Sequence, residues 1–125
     1  MNSEYIIYII HSSAAPSSPL NVTVLDQTPT SVLVTWVSPF TPNGVLTKYE
    51  VTYTGVSSVN PVPDSFFQSL YITASAPNTS LAVQQLVPYS NYTISVRAFT
   101  SGGPGEYSEQ IEARTEENGE LLNAI

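Results

Sequence analysis

The chain contains no cysteine and only one histidine, His11. The first absence removes disulfide staples, thiol nucleophiles and thiolate metal ligands together. The second leaves no Ser–His or Cys–His pair in the body of the chain, because His11 precedes the first regular strand pattern. Basic residues are also scarce: Lys48, Arg97 and Arg114 stand far apart in a chain of net charge −7. Such a chain has no electrostatic footprint for a phosphate backbone or an anionic lipid surface, so nucleic acid is not expected as a partner. No apolar run approaches the ~18 residues a membrane-crossing helix needs, so direct membrane insertion is not expected either. Six of the ten acids, Glu106, Glu109, Glu112, Glu116, Glu117 and Glu120, fall in the last twenty residues and read as a solvated edge strand and tail. Asp26 and Asp64 stand alone in loop-like surroundings, and no second acid neighbours Asp26, so neither paired-carboxylate catalysis nor a calcium site is assigned. Gly102-Gly103-Pro104-Gly105 lacks the Lys-Ser/Thr of a phosphate loop and reads as a hairpin loop. No catalytic residue, metal ligand or cofactor is assigned, and the chain is read as non-enzymatic.

What the chain does have is Ser and Thr, thirty of 125 residues, with ten prolines, a composition suited to short strands and turns. Between Pro19 and Thr115 apolar residues recur with period two, the mark of half-buried strands. Val22 and Val24 form one run, and Val32, Val34 and Trp36 a second after the turn signal Thr28-Pro29-Thr30. Tyr49, Val51 and Tyr53 form a third run, Leu70 and Ile72 suggest a fourth, and Leu81 and Val83 a fifth. Tyr92, Ile94, Val96 and Ala98 make the clearest, and Ile111 with Ala113 the seventh. Seven short strands without a helical period imply two antiparallel sheets packed face to face, an all-β, seven-stranded antiparallel β-sandwich. The expected core is Val22, Val34, Trp36, Tyr49, Val51, Leu86, Tyr92, Ile94 and Val96. Trp36 is large enough to fill the space between the sheets, and its indole N–H needs one partner at the core edge.

Four places together resemble the fibronectin type III family over Pro19 to Thr115. They are Pro19 before Val22 and Val24; Val32-x-Val34-x-Trp36; Pro42-Asn43-Gly44 leading into Tyr49-Glu50-Val51-Thr52-Tyr53; and Leu86-x-Pro88-x-x-x-Tyr92 followed by Ile94, Val96 and Ala98. The resemblance implies that Tyr92 is a tyrosine corner, its phenol oxygen returning to a backbone group a few residues upstream, with Pro88 stiffening the crossover. Some members carry an integrin-binding Arg-Gly-Asp in the loop that here reads Thr100 to Glu106, and this chain has none. The Trp-Ser-x-Trp-Ser sequence of cytokine receptors is absent too. The chain is similar to units in ectodomain arrays of receptor-type protein tyrosine phosphatases and large cell-adhesion proteins. That implies an extracellular, non-catalytic adhesion or spacer module whose partners are proteins or neighbouring domains of the same kind, and which is monomeric in isolation. Spacer units of carbohydrate-active enzymes and structural units of muscle or cytoskeletal filaments resemble it as well.

Residues 1–18 read as a tail and linker, 19–115 as the domain and 116–125 as a second tail or linker. Tyr5 to Ile10 is a charge-free apolar run that reads as a shortened leader, a boundary of the sequence or an extra strand. Three sequons, at Asn21, Asn78 and Asn91, fall on outward strand positions or in a turn and are candidate glycosylation sites. Gly55 to Gln68 is longer than a compact sandwich needs between its third and fourth strands. Its Phe66 and Phe67 either fold back over the sheet edge or form an exposed partner contact.

Overall fold

A computed structural model describes residues 15–117. Among the described residues the strands are β1 (Leu20–Gln27), β2 (Val32–Val37), β3 (Lys48–Ser58), β4 (Ser69–Ser75), β5 (Ser80–Val83), β6 (Ser90–Thr100), β7 (Gly103–Pro104) and β8 (Ile111–Arg114), with one 3-10 turn at Asp64–Phe67. One sheet has the order β1-β2-β5; the other runs β4-β3-β6, with β7 and β8 both on the far side of β6. All pairings are antiparallel. The strand beyond the expected seven is β7, a two-residue ladder against Phe99 and Thr100 inside the Gly-rich hairpin loop. It is too short to leave a period-two trace.

The two sheets enclose a core of Val32, Val34, Trp36, Tyr49, Val51, Ala74, Val83, Leu86, Tyr92, Ile94, Val96, Ala98 and Ala113. Alternate residues of β3 and β6 lie directly opposite one another, Tyr49 with Ala98, Val51 with Val96 and Tyr53 with Ile94, so their side chains meet the small sheet as one surface. Val22 is only half-buried at the margin of this core, because β1 is an edge strand broken by two register shifts. Trp36 is buried, its ring tilted against Tyr49 at 5.1 Å. The partner expected for its indole N–H is not there: among the described residues nothing accepts from it. The ring belongs to the apolar core cluster and lies against Tyr49, so packing rather than a hydrogen bond holds it.

Residues 15–17, within the stretch read as tail and linker, are held against the domain. Pro16 is buried against Gly105, where an added Cβ would meet the Pro16 carbonyl oxygen. The Ser17 N–H donates to the Thr41 carbonyl at 2.9 Å, and the Asn43 side-chain amide donates to that of Ala15 at 2.7 Å. Asp26 lies within β1 rather than in a loop, its carboxylate accepting from the Gln27 N–H. Tyr5 to Ile10, His11 and the tail beyond residue 117 lie outside the described residues.

Candidate interaction surfaces

The segment Gly55 to Gln68 divides the two phenylalanines that sequence treats alike. Its first part is not loop at all: β3 continues to Ser58, with a register shift after Gly55. The 3-10 turn then folds Phe66 back onto β3. Gly55 leaves the space, since a Cβ there would sit within 2.4–2.6 Å of the Phe66 carbonyl oxygen and ring. Phe66 packs on the core with its ring 5.3 Å from that of Tyr92, whereas Phe67 stands edge-on to Phe66 and is 50% exposed. Phe66 therefore covers the sheet and Phe67 faces solvent. Together with Leu70, Leu86 and Tyr53, Phe66 lines an open cavity of about 250 Å³ at this flank.

Tyr92 occupies the corner geometry. The Val87 N–H donates to its phenol oxygen at 2.8 Å, tying β6 to the crossover that leaves β5. Burial pushes the Tyr92 phenol above its usual pKa; the Val87 hydrogen bond acts in the opposite direction and is outweighed, while the neighbouring Tyr53 adds to the rise. Around the corner lies a buried polar knot. The Thr115 hydroxyl donates to the Val87 carbonyl at 2.7 Å and accepts from the Ser90 N–H at 2.9 Å. The Asn60 amide donates to the Pro88 carbonyl at 2.8 Å, which anchors the long segment to the same crossover.

On the outer face of the larger sheet the register places Glu50 opposite Arg97 and Lys48 opposite Phe99. Arg97 Nε donates to Glu50 Oε1 at 2.8 Å, and the Tyr107 hydroxyl donates to the same oxygen at 2.9 Å. The Arg97 guanidinium stacks between the rings of Tyr107 and Phe99, 4.6 and 5.3 Å from their centroids, and Lys48 caps Phe99. Glu50 is thereby 6% exposed on a central strand, a buried acid that sequence reasoning did not single out. Pairing of β3 with β6 was the signal that would have found it, since the register follows once Tyr49 and Ala98 are set opposite.

The three sequon asparagines differ. Asn78 is exposed in the turn before β5, and Asn21 is exposed with a left-handed φ of 52° near a β1 register shift. Asn91 is half-buried, and its side-chain amide donates to Ser57 Oγ at 2.9 Å. Among the described residues no group of three or more His, Cys, Asp or Glu side chains comes together, and no helix is long and apolar enough to cross a membrane.

The three- and five-stranded sheets, the buried tryptophan and the tyrosine corner define an immunoglobulin-like sandwich. A family model of the fibronectin type III domain matches residues 15–114, and the chain belongs to that family. Among curated relatives it is 31% identical over 121 residues, 93% of this chain, to tyrosine-protein phosphatase 99A of Drosophila melanogaster. It is 34% identical over 101 residues, 81% of this chain, to tyrosine-protein phosphatase Lar of the same organism. To ephrin type-A receptor 7 of Gallus gallus it is 32% identical over 109 residues, 87% of this chain. It spans 9%, 5% and 10% of those three proteins. Among solved structures, the third fibronectin III domain of a human protein matches with a TM-score of 0.72 and 26% identity, over 83% of this chain and 86% of that one. Titin domains match with a TM-score of 0.68 and 25% identity, over 82% of this chain and 33% of that one.

Proposed function

We propose that this chain is a non-catalytic adhesion and spacer module of a multidomain cell-surface receptor or adhesion protein, held outside the cell and contacting proteins or neighbouring domains of its own kind. The observation that carries the reading is where the described chain comes in and leaves. Residues 15–17 are pinned to Thr41, Asn43 and Gly105, past one end of the strands. Glu116 is pinned at the other end, its N–H donating to the Thr28 carbonyl and its carbonyl accepting from the Tyr89 N–H. A unit with its connections at opposite poles transmits position along a string of similar units, and pinned connections make the spacing stiff. The phosphatase and Eph receptor relatives, of which the chain covers a tenth or less, favour a surface receptor as the parent. Any chemistry of such a parent lies in other domains.

Likeness to titin favours a second reading, a structural unit of an intracellular filament. Secretion separates the two. Expressed behind a secretory leader in a eukaryotic cell, the chain is expected to leave the cell folded and to carry a glycan at Asn78, seen as a mass shift removed by Asn78→Gln. Asn91, whose amide is already bonded to Ser57, is expected to be the least occupied of the three. A folded chain that reaches the medium bare at all three asparagines favours the filament reading.

A further inference from the structure

Strand β4 is the edge of the larger sheet, paired among the described residues with β3 alone. Natural edges of this kind are blunted by charge, proline or shortness. This one has none of these: Ser69–Ser75 reads SLYITAS, seven residues without a charge or a proline. Leu70, Tyr71 and Ile72 are 53%, 67% and 38% exposed. Leu70 and Ile72 share the inward face with Ala74, opposite Tyr53 and Val51 of β3, yet they overhang the smaller sheet, whose nearest strand β5 is only four residues long.

The phase of the free edge is fixed. The Ala76 N–H donates to the Thr47 carbonyl at 3.1 Å in the β3–β4 register, so even-numbered residues of β4 turn their backbone groups toward β3. Ser69, Tyr71, Thr73 and Ser75 turn theirs outward. About Ile72 the strand is complementary to itself when reversed. Tyr71 then meets Thr73 on the outer face and Leu70 meets Ala74 on the inner face, large against small each time, while Ser69 meets Ser75. Net charge −7 opposes the approach of a second copy, and the charge-free edge is where that repulsion is least. The carboxylates of Glu109 and Glu112 lie across the sheet, at and beside β8.

We propose that β4 pairs with β4 of a second copy of this chain, antiparallel about a two-fold axis at Ile72, joining the two larger sheets into one. In that register Tyr71 and the partner's Thr73 exchange both N–H···O=C bonds, giving four across the axis. Ile72 meets its own copy in a pair without backbone bonds, and the overhanging Leu70 and Ile72 side chains are covered. This inference revises the expectation of a monomer and is independent of the array reading.

The test uses the full chain. Sedimentation velocity from micromolar to near-millimolar concentration is expected to show a reversible monomer–dimer equilibrium. Thr73→Pro removes an N–H that bonds nothing within the domain, and edge positions tolerate proline, so it is expected to abolish the dimer while the unfolding midpoint holds. A second measurement does not depend on that variant folding. Opposed residues of a pair without backbone bonds have Cα atoms about 4.5 Å apart, within the roughly 4.4–6.8 Å that a disulfide spans. The chain has no other cysteine, so Ile72→Cys is expected to form a covalent dimer under mild oxidation several-fold faster than Leu70→Cys, although Leu70 is the more exposed. A wild-type chain that stays monomeric throughout overturns the proposal. So does a dimer that survives Thr73→Pro, or equal cross-linking by the two cysteine variants.

Discussion

The larger sheet carries two aromatic clusters that are built in opposite ways. At the β4 flank, Phe66 lies in the space left by Gly55 and against the ring of Tyr92, on the side that faces the core. On the outer face, Tyr107 and Phe99 enclose the Arg97 guanidinium above Glu50. The first is held by apolar burial, which charge screening does not weaken and which is large for each residue. The second is held by charge and stacking at a surface where Arg97 keeps 27% of its side chain in water, and screening limits what each partner contributes. Similar residue types thus stabilise by different physics according to which side of a strand they occupy.

The largest effect expected of a substitution falls on the first cluster. Phe66→Ser should lower the stability of the chain by about 2–4 kcal/mol, the cost of removing a half-buried ring that seals the flank. Phe67→Ser removes an adjacent ring of the same size but half-exposed, and should cost about 1 kcal/mol or less. Paired urea denaturation curves of the two variants measure the contrast directly. Equal midpoints would erase the distinction between the covering and the solvent-facing phenylalanine.

That contrast also marks the limit of what could be read from the chain alone. Alternation in β6 assigned Tyr92, Ile94, Val96 and Ala98 to one face because a central strand is covered along its whole length. The same parity put Leu70 and Ile72 inward in β4, yet they keep 53% and 38% of their surface exposed, because nothing of matching length lies beneath them. Period two reports direction, and burial depends on the other sheet. In Gly55 to Gln68 there was no period to use. The separation of Phe66 from Phe67 arises from a 3-10 turn and from one glycine that leaves room for a ring. The Glu50–Arg97 pair was hidden for a third reason: it spans 47 positions of sequence, and only cross-strand register brings the two together.

A smaller effect tests the seam at which the first cluster meets the crossover. Tyr92→Phe keeps the ring against Phe66 but leaves the Val87 N–H without its acceptor, and should cost about 1–3 kcal/mol at neutral pH. Alkali sharpens the test. Burial holds the Tyr92 phenol protonated above the value of about 10 at which an unfolded tyrosine ionises. Between the two values the folded chain binds the extra proton, so this contribution to stability is complete below about pH 10 and is lost as pH rises through the folded value. The gap between wild type and Tyr92→Phe in thermal midpoint should therefore narrow above about pH 10. A gap that is constant from neutral to alkaline pH would remove the buried phenol from the account.

The smallest effect belongs to the outer cluster. Glu50→Gln keeps an acceptor for the Tyr107 hydroxyl and for Arg97 while removing the charge, so only the Coulombic part is lost, about 1 kcal/mol or less. Raising the salt concentration should shrink that difference, because the guanidinium reaches water and counter-ions compete for it. The cost of Phe66→Ser should not shrink in the same titration, because apolar burial has no charge to screen. Measured side by side in low and high salt, the two variants separate the clusters by mechanism. If the Glu50→Gln cost exceeded that of Phe66→Ser and ignored salt, Glu50 would be acting as a buried ion whose only compensation is Arg97, and the outer face would have to be counted as part of the core.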